Sequence, residues 1–153
     1  MGSDLTEEHS TLARELERVA EHLRRFTVRV HGGGRGGGSG VVWRPTGLIL
    51  TNAHVARAPS AAVTLADGRT FEAAVTATDL RLDLAALALP AGDLPTARIG
   101  DSDAVRVGEL ALAVGNPLGM AGALTAGIIH GLGPRSYRSL GLERHSAFTV
   151  GRE

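Results

Sequence analysis

Apolar and polar positions along the chain first follow a helical period and then change to the short runs typical of β-strands. Between Asp4 and Phe26 apolar residues recur every three or four positions, which predicts one amphipathic helix. Asp4 can cap its first turn, and Glu7 can reach back to the cap. We expect the apolar stripe to pack on the body of the protein; binding of a partner is the alternative. The stripe consists of Leu12, Leu16, Val19, Leu23 and Phe26.

After the helix, six short apolar runs separated by turn signals predict antiparallel strands. Arg-Pro-Thr-Gly at 44–47 joins two of them into a hairpin, and Asp67-Gly68 marks another tight turn. Six short antiparallel strands can pair all their edges by closing into a small barrel, so the predicted fold class is all-β. The predicted strands are Thr27–Val30, Val41–Trp43, Leu48–Leu50, Ala61–Leu65, Thr70–Thr78 and Leu82–Leu89.

The pattern divides the chain into three parts: the helix at 1–26, the barrel at 27–95, and a second unit at 96–153. In the second unit, Gly108–Val114 and Leu124–Leu132 are predicted strands on either side of a turn. The arginine-rich stretch Arg135–Glu153 is weakly patterned, with one further strand expected at Ala147–Val150. We therefore expect the second unit to be an incomplete barrel with an irregular tail.

The composition excludes several functions. The formal net charge is +0, which argues against a nucleic-acid partner, although the glycine-rich run 31–40 has an RGG-like composition. We expect that run to be a loop between strands. There is no cysteine, and all 16 basic residues are arginine. Disulfides, thiol catalysis, Walker-type phosphate loops and Schiff-base lysines are therefore excluded.

Neither a membrane segment nor a secretory signal is visible, so a native N-terminus predicts a cytoplasmic protein. The sequence does not indicate an oligomeric state. Neither a metal nor another cofactor is expected, because the histidines other than His54 share no spacing suited to a metal. They are His9, His22, His31, His130 and His145.

Two polar residues stand out because they adjoin or interrupt apolar runs. His54 follows the Leu48–Leu50 run in the segment Thr-Asn-Ala-His, and Asp83 interrupts the run Leu82–Leu89. A buried carboxylate is costly unless it is paired and hydrogen-bonded, and His54 is the obvious partner for Asp83. A lone histidine after an apolar strand is more often structural, so the pairing is what makes this a candidate site.

Four segments occur in the order Gly38–Trp43 (GSGVVW), Gly47–Val55 (GLILTNAHV), Leu82–Leu87 (LDLAAL) and Ala113–Gly119 (AVGNPLG). Together they resemble the trypsin-like serine endopeptidases, specifically the bacterial HtrA/DegP-like branch, over roughly residues 28 to 132. The resemblance implies a chymotrypsin-like six-stranded antiparallel barrel, a partial second barrel, and a polypeptide substrate or peptide ligand. It also implies that His54 and Asp83 are catalytic, as the general base and the carboxylate that orients it.

The chain departs from the family pattern in lacking a Gly-Asn/Asp-Ser-Gly-Gly nucleophile segment. Ser102, in Gly-Asp-Ser-Asp, comes nearest but has aspartate where the second glycine is needed. The expected function is therefore serine-type proteolysis of the HtrA kind, in a truncated form that is inactive on its own. The alternative is a non-catalytic pseudoprotease that binds peptides or protein partners.

Overall fold

The computed structural model describes residues 3–32, 37–116 and 122–132. Within these ranges the chain forms one helix, eight strands and a short 3₁₀ turn at Ser102–Ala104. The helix is α1 (Ser3–Arg24), and the strands are β1 (Thr27–His31), β2 (Gly37–Arg44), β3 (Leu48–Thr51), β4 (Ser60–Thr64), β5 (Thr70–Asp79), β6 (Leu84–Ala88), β7 (Leu110–Gly115) and β8 (Ala123–Ile128).

Strands β1 to β6 form a closed antiparallel barrel in the order β1-β2-β3-β6-β5-β4. Pairing of β1 with β4 closes it, so neither edge of the sheet is left open. Side chains alternate between the interior and the outside along each strand, which places aliphatic residues in the core. The predicted all-β, chymotrypsin-like barrel behind an N-terminal helix is confirmed. Its largest fully buried apolar side chains are Val28, Val30, Val42, Ile49, Val63 and Leu87.

The glycine-rich run is only partly the loop that its composition predicts. Gly37–Gly40 belong to β2 and pair with β1 in the register Val30↔Gly38 and Val28↔Gly40. Glycine is required there because a Cβ on Gly40 would lie 2.8 Å from Ile49 Cγ2. A run of glycines shows no alternation of apolar side chains, so its strand character comes from the strand beside it.

Among the α1 side chains that the structure describes, from residue 11 onward, the buried ones lie in the C-terminal part of the helix. The buried residues are Ala20 and Leu23 in the helix, and Phe26 just past its end. Leu12, by contrast, is 61% exposed. The expectation that the whole apolar stripe packs on the barrel is therefore wrong for its N-terminal part. A helix of 22 residues is about 33 Å long, more than the short barrel strand that follows it can cover. Thr27 ends the helix by donating its hydroxyl to the carbonyl of Leu23 at 2.8 Å.

The predicted hairpin around Arg-Pro-Thr-Gly is confirmed by the register Val41↔Leu50 and Val42↔Ile49 between β2 and β3. Gly47 has φ +94°, and a Cβ there would lie 2.5 Å from the carbonyl oxygen of Leu89. Its own carbonyl accepts the N–H of Leu89 at 2.9 Å. The turn therefore needs glycine both for its backbone conformation and for the close approach of the segment after β6.

The described residues fall into two compact units, the first within Met1–Ala97 and Val114–Ala123 and the second within Arg98–Ala113 and Leu124–Glu153. Strands β7 and β8 form a two-stranded sheet. The predicted strand Leu124–Leu132 is shorter than expected, ending at Ile128, and the predicted strand at 147–150 lies outside the described residues. Among the helices described, none is long and apolar enough to span a membrane.

Candidate active site

His54 lies in a tight turn that begins where β3 ends. The carbonyl of Asn52 accepts the N–H groups of Val55 at 3.0 Å and of Ala56 at 3.2 Å, which bends the chain away from the sheet. Ala53 and Ala56 are buried and anchor this turn on the barrel. The His54 side chain remains 58% exposed. The turn thus holds the imidazole at the surface, while the buried alanines on either side of His54 fix its backbone.

Asp83 lies in the turn between β5 and β6, not inside a strand as its apolar neighbours predict. Strand β6 begins at Leu84, and Asp83 has φ +55°, in the left-handed region that a strand residue does not adopt. Asp79 closes this turn, because its Oδ1 accepts the N–H groups of Arg81 and Leu82, both at 2.9 Å. Leu82 is exposed, so the apolar run on which the prediction rested is not continuous in the core.

The pairing of β3 with β6 brings His54 and Asp83 together. Thr51, the last residue of β3, lies opposite Ala85, so the segments that follow β3 and precede β6 meet at one end of the barrel. Asp83 Oδ2 is 2.8 Å from His54 Nδ1, and Asp83 Oδ1 accepts the backbone N–H of His54 at 3.0 Å. One carboxylate therefore holds both the ring and the main chain of the same histidine.

This geometry determines which ring nitrogen of His54 carries the proton. An ionised carboxylate only accepts hydrogen bonds, so Nδ1 must be the donor, and Nε2 of the neutral ring is then an acceptor. The Asp83 side chain is 14% exposed, in contrast to the histidine. A shielded carboxylate behind an exposed imidazole is the arrangement needed for a general base that takes a proton from a neighbouring hydroxyl.

Asn52 also belongs to this site, although the sequence patterns did not single it out. Its Nδ2 donates to the main-chain carbonyl of Asp83 at 3.0 Å and lies 3.5 Å from Asp83 Oδ2. The N–H of Ala53 donates to the same carbonyl at 3.1 Å. In the sequence, Asn52 could have been noticed because its amide side chain lies between a buried strand and the candidate histidine.

A second polar network, centred on Asn116, was also missed. Asn116 is buried; its Nδ2 donates to the carbonyl of Val28 at 3.0 Å, and its Oδ1 accepts the N–H of Gly122 at 2.9 Å. The backbone N–H of Asn116 donates to Ser39 Oγ at 2.7 Å. Arg24 extends the network by donating to the carbonyl of Gly122 at 2.9 Å. These bonds tie the segment after β7 to β1, β2 and the end of α1.

Ser102, the serine nearest in sequence to a nucleophile motif, opens the 3₁₀ turn at Ser102–Ala104. The aspartate before it caps this turn, since Asp101 Oδ1 accepts the N–H of Asp103 at 2.9 Å.

In the part of the chain that is described, no group of three or more histidine, aspartate or glutamate side chains is placed to hold a metal ion. The chemistry of the candidate site therefore rests on His54 and Asp83.

A family model for the trypsin-like peptidase domain matches residues 38–151. The chain belongs to the trypsin-like peptidase family. The matched range includes β3 to β8, all of β2 except its first residue, and both residues of the candidate site. The resemblance inferred from the four sequence motifs is thereby confirmed at the level of the family.

Proteins similar to this trypsin-like peptidase chain include serine proteases of the HtrA/DegP branch. It is 44% identical over 103 residues to a putative serine protease HhoB of Synechocystis, a match that covers 67% of this chain and 25% of the relative. It is 44% identical over 112 residues to a probable periplasmic serine endoprotease DegP-like of Pseudomonas fulva (72% and 22%). It is 44% identical over 108 residues to the mitochondrial serine protease HTRA2 of Drosophila willistoni (69% and 25%). The chain thus spans about a quarter of the length of the curated relatives it matches.

Proposed function

We propose that this chain carries the general base and its orienting carboxylate for serine-type proteolysis of the HtrA kind, with polypeptides as substrates. The observation that carries the proposal is the two-point contact of Asp83 with the ring and the backbone of His54, at 2.8 Å and 3.0 Å. Membership of the trypsin-like peptidase family and the 44% identity to HtrA/DegP-type serine proteases support it.

In the proposed mechanism, His54 Nε2 accepts the proton of a serine hydroxyl as the oxygen attacks the carbonyl carbon of a peptide bond. Asp83 keeps the proton on Nδ1 and stabilises the imidazolium that forms. The imidazolium then gives its Nε2 proton to the leaving amine, and the same base activates the water that releases the acyl group. The ring can serve successive proton transfers because Asp83 holds it in one orientation throughout.

We further propose that these 153 residues do not hydrolyse peptides by themselves, as expected of a truncated peptidase. They contain no Gly-Asn/Asp-Ser-Gly-Gly segment, so the serine and the backbone N–H groups that stabilise the oxyanion have to come from other residues. A base and its orienter cannot substitute for either group. The purified chain should therefore leave casein and unstructured peptides intact at any pH at which it is folded.

A chimera tests whether the His54–Asp83 pair is competent for catalysis. The matching 103-residue region of the Synechocystis relative is replaced by the corresponding residues of this chain, so that the relative supplies the nucleophile. Casein cleavage by the chimera that disappears in its His54→Ala variant is the expected result. The unmodified relative is the positive control. A folded chimera whose cleavage is unaffected by His54→Ala would rule the proposed base out.

The alternative function, peptide binding without cleavage, is favoured by one observation in the turn that carries Asp83. Leu80 is 78% exposed and Leu82 is also exposed, so apolar side chains flank the candidate site at the surface. A bound peptide could cover them and gain from the burial of apolar area. Saturable binding of an unstructured peptide by the 153-residue chain, lost in Leu80→Ser and retained in His54→Ala, would favour this function.

A further inference from the structure

We propose that Asn52 is a positioning residue that holds Asp83 in the conformation required to orient His54. The catalytic meaning of this inference rests on the proposed function, but the structural relationship can be measured without catalysis. Asn52 connects the two turns of the site, since it begins the turn that carries His54 and contacts the turn that carries Asp83. It makes these contacts through different groups, the main-chain carbonyl and the side-chain amide.

The backbone of Asp83 is the first group that Asn52 contacts. With φ +55°, this residue is in a region that L-amino acids disfavour, so the surrounding contacts have to maintain it. Its carbonyl accepts two N–H groups from the His54 turn, Ala53 N at 3.1 Å and Asn52 Nδ2 at 3.0 Å. The contact from Ala53 is made by the main chain, which a substitution does not remove. The contact from Asn52 is made by a side chain and can be deleted.

The carboxylate of Asp83 is the second group that Asn52 approaches. Asn52 Nδ2 also lies 3.5 Å from Asp83 Oδ2, the oxygen that contacts His54 Nδ1. A donor on that side favours an ionised carboxylate facing the ring over one rotated towards solvent. An amide suits this position because it presents two hydrogens from one nitrogen, towards the main-chain carbonyl and towards the carboxylate. A side chain without a donor leaves both acceptors without this contact.

The consequence is a defined effect on the histidine. Removing the Asn52 amide should allow Asp83 to leave its strained conformation for part of the time, which weakens the contact that keeps the proton on Nδ1. The neutral ring of His54 should then shift from the Nδ1–H tautomer towards the Nε2–H tautomer. Loss of one ordinary hydrogen bond predicts that the ratio of the two tautomers falls about 2-fold to 12-fold.

The experiment is ¹⁵N NMR of the histidine rings in the 153-residue chain at a pH where His54 is neutral. A His54→Gln variant identifies the signals of this ring among the six histidines of the chain. Spectra of Asn52→Ala and Asn52→Ser are compared with wild type, and Asp83→Asn defines the ratio without the carboxylate. The matched control is Thr51→Val. Thr51 is the residue before Asn52, and its Oγ1 donates to the main-chain carbonyl of Ser39 at 2.7 Å. The control therefore also removes one side-chain donor from a main-chain carbonyl.

The proposal predicts a lower Nδ1–H fraction in both Asn52 variants and an unchanged fraction in Thr51→Val. Unchanged ratios in the Asn52 variants would overturn it. So would an equal shift in Thr51→Val, since the effect would then reflect general loosening of the barrel. If neither Asn52 variant folds, Asn52 is a determinant of the fold and the proposal is also overturned. Because the readout is the ring itself, an inactive chimera would reject the proposed function without affecting this result.

Discussion

Asp83 accepts two hydrogen bonds from a single residue, His54: Oδ1 from its backbone N–H at 3.0 Å and Oδ2 from its ring Nδ1 at 2.8 Å. The first contact positions the carboxylate relative to the main chain, and the second then fixes the orientation of the ring. A carboxylate that contacted the ring alone could follow any movement of the imidazole. Here the same group is attached at two points, so the ring has one preferred plane and one preferred tautomer.

The first prediction follows from this contact and concerns Asp83→Asn. An amide can turn its NH₂ group towards Nδ1, which would place the proton on Nε2 and remove the base. In the chimera with the Synechocystis relative, we expect kcat for peptide cleavage to fall about 10⁴-fold, as for a triad with the wrong tautomer. Steady-state kinetics on a fluorogenic peptide measures this change. Asp79→Asn, in the same turn, is the control and should retain most activity; equal losses in the two variants would contradict a special role for Asp83.

The second prediction compares two turn glycines that both have positive φ. Gly68, with φ +87°, has open space where a Cβ would be, whereas a Cβ on Gly47 would lie 2.5 Å from the Leu89 oxygen and 2.7 Å from the Ala91 oxygen. Gly68→Ala should lower the free energy of unfolding by about 1–2 kcal/mol through the backbone term alone. Gly47→Ala should cost clearly more, because the clash adds to that term. Urea denaturation of the two variants gives the comparison, and equal losses would contradict the close approach at Gly47.

The third prediction concerns the buried network at Asn116. Asn116→Ala removes a donor from the Val28 carbonyl and an acceptor from the Gly122 N–H. Unsatisfied buried groups of this kind should lower the free energy of unfolding by about 1–3 kcal/mol. Arg24→Ala, which removes only the exposed contact with the Gly122 carbonyl, should cost less than about 0.5 kcal/mol. Chemical denaturation of both variants checks the ranking, and an equal or reversed ranking would contradict it.

The fourth prediction concerns the ion pair in the β4–β5 turn, where Asp67 Oδ2 is 2.7 Å from Arg69 Nη2. Hydrogen bonds from the side chain and the backbone of Arg69 lower the pKa of the Asp67 carboxyl below its usual value. The pair therefore stabilises the fold above the ordinary carboxyl pKa, and this contribution is lost as the pH falls through the lowered pKa. In Asp67→Asn the amide oxygen can still accept the backbone N–H of Arg69, so the substitution mainly removes charge.

We expect Asp67→Asn to lower Tm slightly at neutral pH. The gap from wild type should begin to close as the pH drops below the ordinary carboxyl pKa of about 3.9. It should vanish once the pH has fallen below the lowered pKa of Asp67, because the wild-type carboxyl is then uncharged, like the amide. Thermal unfolding followed by circular dichroism from neutral pH down to pH 2 measures the gap. In the Arg69→Gln background the substitution should have almost no effect. A gap that persists unchanged at low pH would show that the ion pair is not its cause.

The local patterns of the sequence were sufficient for the barrel and for the candidate pair. The short apolar runs that mark the barrel strands, and turn residues such as Gly47 and Gly68, depend on neighbours within a few positions and can be identified without the fold. His54 and Asp83 could be paired in advance because a carboxylate among apolar residues requires a partner. The need for a partner comes from the chemistry of the carboxylate, so it applies equally in the turn where Asp83 lies.

Tertiary structure decided the features that depend on contacts between distant parts of the chain. Gly37–Gly40 form a strand because β1 lies beside them, and Asp83 adopts φ +55° next to donors supplied by Ala53 and Asn52. Only the C-terminal part of the α1 stripe is buried. Asn52 and Asn116 give no periodic signal, since each acts through one side chain on a distant backbone group. Patterns along a sequence record the preferences of each segment, whereas strand pairing and packing select the groups that meet.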